Sequence, residues 1–146
     1  MAKVIFLVGL CGSGKSRKAD EMQTKDGYVW VEGIHGNPAE LLKLADNLRA
    51  GKNSVAEEFQ TLTANYRVFI EDWLKRAVPG TDVEFWYFEK DIIKLTRNVL
   101  DRPDTEKCIA DHLLINGRNY DRYDIPTSPP PVILPIDPPT PYKPKC

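Results

Sequence analysis

Gly9-Leu-Cys-Gly-Ser-Gly-Lys-Ser16 is the stretch that decides the fold predicted for this chain of 146 residues. It fits the pattern G-x-x-x-x-G-K-[ST], whose glycines let the backbone turn so that successive N–H groups point inward at phosphate oxygens. A helix that opens at Gly14-Lys15 would add its positive N-terminal end. Lys15 can reach the β- and γ-phosphates, and the Ser16 hydroxyl can ligate the Mg²⁺ that bridges them. The motif therefore predicts a cradle for a nucleoside triphosphate, with these candidate binding residues: Gly9, Cys11, Gly12, Ser13, Gly14, Lys15 and Ser16.

The segments on either side of this loop fit what the motif requires. Residues Val4–Val8 are a continuous apolar run, typical of a strand that is buried on both faces of a parallel sheet. Residues Ser16–Lys25 are polar, with Ala19 and Met22 three apart, and Asp26-Gly27 follows as a stop signal. A buried strand before the loop and a helix after it are therefore predicted.

Predicted strands and helices alternate along the rest of the chain. Branched and aromatic side chains predict strands at 28–31, 54–58 and 83–88. Apolar residues at helical spacing predict helices at 38–50, 62–78 and 92–100, and another after Pro103. The predicted apolar face of the helix at 62–78 includes Leu62 and Phe69. The predicted apolar face of the helix at 92–100 includes Ile93, Val99 and Leu100. The alternation implies βαβ units, and so an α/β fold of three layers with a small, four- to five-stranded, mostly parallel sheet.

Prolines are concentrated at one end of the chain, since nine of the twelve lie in residues 126–146. Residues 1–125 are therefore predicted to form the folded domain, with 126–146 as a proline-rich strap. Within the strap, residues 131–136 are predicted as an edge strand, because proline is tolerated in a sheet only at an edge. The alternative is a polyproline segment that binds an SH3- or WW-like protein partner.

Charge and cysteine content limit the class of protein. The 20 basic and 21 acidic side chains give a net charge of −1, so any binding of nucleic acid has to be local. Three widely spaced cysteines, odd in number, are typical of a reduced, cytoplasmic protein. No apolar run approaches the roughly 18 residues of a membrane span. We therefore expect a cytoplasmic protein without a membrane segment.

On the motif and its flanks the chain resembles the P-loop kinases, a superfamily of nucleoside, nucleotide, gluconate, shikimate and polynucleotide kinases. The likeness is strongest to the polynucleotide-kinase-like ATPases, whose strand, G-x-x-G-S-G-K-S loop and helix match residues 5–16. These motifs cover under a fifth of the chain. The resemblance implies a P-loop NTPase fold, binding of ATP with Mg²⁺, and phosphoryl transfer to a hydroxyl of a small molecule, nucleotide or polynucleotide.

Several glutamates follow predicted strands, where a carboxylate can hold Mg²⁺ through its water shell. In the layout of the resembled kinases, the acid after the strand beside the loop's strand serves magnesium, which points to Glu57 or Glu58. The acid after the second strand, here Glu32, takes the proton of the acceptor hydroxyl. Glu89 is the rival magnesium ligand, because it follows the strand with the strongest apolar content. The resembled kinases usually have Asp at these positions, and solvated strand-end glutamates are the alternative.

Basic side chains cluster on and after the predicted helix at 92–100. In the resembled kinases an arginine from this region closes over the phosphates and neutralises charge in the transition state. Arg97 and Arg102 are therefore catalytic candidates, with a solvated basic face as the alternative. His35 lies in the loop after the second strand, where open α/β sheets gather acceptor-binding residues, and a solvated loop histidine is the alternative.

Two functions follow from these features. The first is an ATP-dependent kinase that acts on a small hydroxylic or nucleotide-like acceptor, with Lys15 and Ser16 on ATP and magnesium. The second is a nucleotide-binding module with little turnover, whose tail engages a protein partner. The late arginines favour the first, and the lack of a strand-end Asp favours the second.

Overall fold

Helices and strands alternate along the part of the chain that the computed structural model describes, residues 2–138. The strands are β1 (Lys3–Val8), β2 (Val29–Glu32), β3 (Ser54–Glu57), β4 (Asp82–Phe88) and β5 (Val132–Leu134). The helices are α1 (Lys15–Asp26), α2 (Pro38–Arg49), α3 (Ala64–Ala77), α4 (Ile92–Leu100) and α5 (Glu106–Asn119), with a 3₁₀ turn at Phe59–Leu62. The predicted α/β alternation is confirmed.

The five strands form one parallel sheet in the order β2-β3-β1-β4-β5. The continuous apolar run of β1 places that strand at the centre, because both of its faces are covered. Val4, Phe6 and Val8 pack in a core with residues of α2, α3 and α4. Ile5 and Leu7 belong to a second core, which includes Ala19 and Met22 of α1. The sheet is therefore the middle of three layers, as predicted.

Two predicted apolar faces are wrong in part. In α4 the buried residues are Leu95, Asn98 and Val99, whereas Ile93 is 79% exposed and Leu100 is 55% exposed. The reason is that α4 packs on the loop after β1 along positions 95, 98 and 99, which lie three and four residues apart on one face. Ile93 and Leu100 lie outside that face.

The predicted third helix also differs at its start. Leu62 belongs to the 3₁₀ turn and not to α3, and Phe69 is 55% exposed. The buried residue on this part of α3 is Arg67, whose Nη1 donates to the carbonyl oxygens of Thr61 at 2.7 Å and Leu62 at 3.1 Å. A charged side chain therefore covers the end of the turn, which apolar periodicity does not anticipate.

The proline-rich segment continues the fold as far as it is described. β5 pairs parallel with β4 at the edge of the sheet, and the buried side chain of Ile136 packs in the core with Val4 and Phe6. Residues 139–146 of the predicted strap lie outside the described part of the chain. None of the helices in residues 2–138 has the length and hydrophobicity needed to cross a membrane.

Candidate active site

The loop between β1 and α1 has the backbone geometry of an anion nest. Gly12 and Gly14 have φ angles of 90° and 102°, in the left-handed region that glycine adopts without a Cβ penalty. Gly14 is the N-cap of α1, so the positive end of that helix lies at the loop. The buried hydroxyl of Ser13 has no hydrogen-bond partner among residues 2–138, so a phosphate oxygen placed here would give it one.

Lys15, the first residue of α1, folds back over the same loop. Its Nζ donates to the carbonyl oxygens of Gly9 at 2.5 Å and of Leu10 at 3.1 Å. Burial lowers the pKa of Lys15, and the charge of Glu57 opposes that effect. Gly9 is not a cavity residue, and its missing side chain makes room for Ser13, because a Cβ would lie 2.7 Å from that hydroxyl oxygen.

Glu57, at the end of β3, is the carboxylate that meets the loop. The Ser16 hydroxyl lies 3.0 and 3.2 Å from its two oxygens and donates to this carboxylate. The indole N–H of Trp30 donates to it at 2.8 Å. Burial raises the pKa of Glu57, against the opposing charge of Lys15. Because β3 is next to β1, the carboxyl end of β3 meets the loop that follows β1. The oxygens of Ser16 and Glu57 are of the kind that Mg²⁺ prefers.

The rival carboxylates are engaged elsewhere. Glu58 accepts hydrogen bonds from the backbone N–H groups of His35 at 2.7 Å and Gln60 at 2.9 Å. Glu89 accepts from Lys94 Nζ at 2.7 Å and from the Ile136 N–H at 2.9 Å, and the bond to Lys94 holds its pKa below the usual range. The structure therefore brings Glu57 to Ser16 and gives Glu58 and Glu89 other partners.

A cavity of about 750 Å³ extends from the loop to the end of β2. The loop residues Cys11 to Ser16, with Glu57, line one part of it. Glu32 and His35 line it on the β2 side, and the charge of Glu32 contributes to the raised pKa of Glu57. The predicted phosphate-binding residues other than Gly9 therefore share one cavity with the predicted proton acceptor.

The two candidate arginines differ in position. Arg102, just after α4, lines the cavity and lies 2.9 Å, Nη1 to Nδ1, from His112. Its charge contributes to the lowered pKa of Lys15, so the two cations are near one another. Arg97 is exposed and lies outside the cavity lining, with its Nε donating to the side chain of Asn98 at 3.3 Å. The structure brings Arg102, and not Arg97, to the loop.

Two buried asparagines hold the loop, and sequence reasoning missed both. Asn116 of α5 accepts from the Cys11 N–H at 2.8 Å and donates to the Cys11 carbonyl at 2.8 Å. Asn98 of α4 donates to the carbonyl oxygens of Gly12 at 2.9 Å and Asp137 at 2.8 Å. The available signal was a polar side chain that lies three residues after a leucine on a helix, as Asn98 follows Leu95 and Asn116 follows Leu113. An amide suits this position because it both donates and accepts.

Comparison with known proteins bears on the fold. A scan against protein-family models found no match, and a search of curated proteins found none either. Among solved structures, a gluconokinase from Sinorhizobium meliloti 1021 is similar at 16% identity and a TM-score of 0.56, over 94% of this chain and 84% of its own. A sugar kinase from Janibacter sp. HTCC2649 is similar at 16% identity and a TM-score of 0.55, over 94% and 86%. A protein called APE1195 is similar at 18% identity and a TM-score of 0.60, over 93% and 85%.

At these identities the likeness concerns the fold alone. It agrees with the parallel sheet and with the loop that leads from its central strand into α1. The chain shares its three-layer α/β fold with the solved gluconokinase and sugar kinase.

Proposed function

We propose that this protein is an ATP-dependent kinase that transfers the γ-phosphoryl group of ATP to a hydroxyl of an acceptor. The observation that carries the proposal is the contact between Ser16 and Glu57 at the mouth of the glycine loop. It pairs the hydroxyl and the carboxylate that Mg²⁺ needs, in a cavity that also holds Glu32. The fold of the solved kinases supports a phosphotransferase.

The loop and Lys15 would bind the nucleotide. Backbone N–H groups of Gly12 to Lys15 would surround the phosphates, and the Ser13 hydroxyl would gain the partner that it lacks. Lys15 would exchange its two carbonyl acceptors for β- and γ-phosphate oxygens. Ser16 and Glu57 would hold Mg²⁺, which when bound neutralises phosphate charge and helps to align the reacting groups.

The transfer itself would use two further residues. The acceptor oxygen forms a bond to the γ-phosphorus while the bond from that phosphorus to the bridging oxygen of ADP breaks, and Glu32 takes the hydroxyl proton. Arg102 would neutralise charge on the transferring group. His112, which contacts Arg102 through Nδ1, would orient the guanidinium.

The proposal is tested by incubating the protein with ATP labelled in its γ-phosphoryl group, Mg²⁺ and a panel of nucleosides, sugars and 5′-hydroxyl oligonucleotides. We expect labelled acceptor from the wild type and none from Lys15→Ala. Lys25→Ala is the matched control, because Lys25 is an exposed lysine at the other end of α1 and lies outside the cavity lining. Tight ATP binding with no labelled acceptor from any compound would refute a kinase.

A further inference from the structure

We propose that the acceptor carries no negative charge, and that it is an uncharged or cationic polyhydroxyl compound. This inference rests on the proposed function and concerns the acceptor end of the cavity, which we define as the lining residues from β2, β3 and the segments after them. Its members are Trp30, Glu32, Gly33, His35, Glu57, Glu58, Phe59 and Gln60.

Charge is distributed unevenly along the cavity. The lining residues of the loop, of α1 and of the segment after α4 include four cations, Lys15, Arg17, Lys18 and Arg102, and two anions, Glu21 and Asp101. At the acceptor end the charged side chains are Glu32, Glu58 and Glu57, of which Glu57 borders the loop and would hold Mg²⁺. Neither lysine nor arginine occurs among the described residues that line this end. His35 is the single basic side chain in this set. A carboxylate or phosphate on the acceptor would therefore meet charges of its own sign.

The backbone of the acceptor end is also unsuited to an anion. A helical N-terminus binds anions through its free N–H groups, but the 3₁₀ turn at 59–62 is capped by Glu58, which accepts from the Gln60 N–H. The other Glu58 oxygen accepts from the His35 N–H. The Gly33 N–H donates to the carbonyl of Glu57 at 3.0 Å. The protein's own oxygens thus occupy amide donors that an anionic acceptor would need.

The side chains of the acceptor end suit a ligand that has hydroxyl groups and apolar C–H surface. Carboxylates accept hydrogen bonds from hydroxyl or ammonium groups. Trp30 and Phe59 add aromatic surface, and the indole of Trp30 is fixed by its bond to Glu57. A polyol or an amino sugar offers donors for the carboxylates and C–H faces for the rings. A polynucleotide or a sugar acid offers the wrong charge.

The test measures binding of matched pairs of acceptors in the presence of Mg²⁺ and a non-hydrolysable ATP analogue. The pairs are D-glucose with D-gluconate and adenosine with adenosine 5′-monophosphate, and D-glucosamine is the cationic probe. We expect at least one uncharged or cationic probe to bind, and to bind roughly tenfold or more tightly than its anionic partner. Equal or tighter binding of the anionic members, or binding of none of the probes, would overturn the inference.

A charge added at the acceptor end gives a second readout. Gln60→Arg puts a cation among the lining residues and should reduce the preference against the anionic partner by about tenfold. Gln23→Arg is the control, because it adds the same charge on an exposed position of α1 outside the lining, and it should change the ratio by less than about twofold. An unchanged ratio in a folded Gln60→Arg protein would contradict the inference.

Failure of the kinase proposal is distinguishable from failure of this one. Transfer of label is measured separately from binding. If the uncharged probes bind with the expected preference but never receive label, the charge preference of the cavity stands and the kinase assignment fails. If label appears on anionic acceptors at equal or higher kcat/KM, the kinase assignment stands and the charge inference fails.

Discussion

Among single residues, Glu57 combines a cost in stability with the proposed binding of Mg²⁺. Burial raises its pKa, so the folded protein holds the proton more tightly than the unfolded chain. The neutral carboxyl therefore makes its full contribution to the free energy of unfolding below the ordinary glutamate pKa. That contribution is lost as the pH rises through the raised pKa of the folded protein. In Glu57→Gln this loss is absent.

We therefore predict that Glu57→Gln melts at a higher temperature than the wild type at pH 7 in the absence of Mg²⁺ and nucleotide. The difference should shrink toward zero as the pH falls below the ordinary glutamate pKa. The same variant should lose phosphoryl transfer by about 10²–10³-fold. Thermal unfolding over a pH series measures the change in stability, and the label-transfer assay measures the loss of activity. A variant that is less stable than the wild type at pH 7 would contradict the prediction that the charge of Glu57 destabilises the folded protein.

The two arginines offer a matched comparison at the same scale. Arg102→Ala should lower kcat by about 10²–10³-fold with a smaller effect on the ATP affinity, because the guanidinium would act mainly on charge that develops in the transition state. Arg97→Ala should change kcat by less than about twofold, because Arg97 lies outside the cavity lining. Steady-state kinetics give kcat for the two variants. Equal losses of kcat would argue against a role specific to Arg102.

The residues of the loop could be predicted from sequence, because glycines, lysine and serine lie within eight consecutive positions. The choice of Glu57 over Glu89 could not. The apolar content of a strand predicts how deeply that strand is buried. It does not predict which other strands pair with it. Glu57 and Glu89 both follow neighbours of β1, and hydrogen bonding to Lys94 and Ile136 is what separates Glu89 from the site.

Among the elements, α5 is attached to the loop through two hydrogen bonds of Asn116. Asn116→Ala would leave the N–H and the carbonyl of Cys11 without their partner. We predict a loss of about 2–4 kcal/mol in the free energy of unfolding, since each unsatisfied buried group costs about 1–3 kcal/mol. We also predict weaker ATP binding, because the loop is no longer held in position.

Asn119→Ala is the control for this prediction. Asn119 lies on the same helix, and its amide donates to the carbonyl of Ile115 in that helix. Its removal should cost less than about 1 kcal/mol and leave ATP binding unchanged. Urea denaturation and an ATP titration of both variants are the measurements, and equal effects would show that Asn116 has no special part in holding the loop.

Helix and strand positions were largely predictable, since local signals mark their ends. Asn37, for example, accepts a hydrogen bond from the Glu40 N–H ahead of Pro38, as the helix start signal suggests. The inward faces of α3 and α4 were less predictable. Their burial depends on the loop and the 3₁₀ turn, which are distant in sequence and irregular in structure, so that periodicity alone assigned Phe69 and Ile93 to the wrong side.

At the scale of the molecule, the segment at 126–138 is integrated with the core and the site. Ile136→Ala removes a side chain that is 4% exposed, and we predict a cost of about 2–4 kcal/mol in the free energy of unfolding. Ile133→Ala, at a position that is 52% exposed on the edge strand, should cost less than about 1 kcal/mol. Chemical denaturation compares them, and a similar small effect for both would indicate a detachable tail.

The same segment also reaches α1 and the residues that hold the glycine loop. Asp137 forms an ion pair with Arg17 of α1 at 3.2 Å, and its carbonyl accepts from Asn98. The sequence indicated an edge strand from three apolar residues among prolines. It could not indicate these contacts, because they depend on how α1, α4 and β5 come together.

We propose that the cavity directs a phosphoryl group to an acceptor hydroxyl and not to water. The most direct measurement is a single-turnover reaction with excess protein, Mg²⁺, a bound acceptor and γ-labelled ATP, in which the label in acceptor phosphate and in inorganic phosphate is counted. We expect most of the label on the acceptor in the wild type and no transfer from Lys15→Ala. Label that appears only in inorganic phosphate, whichever acceptor is present, would contradict it.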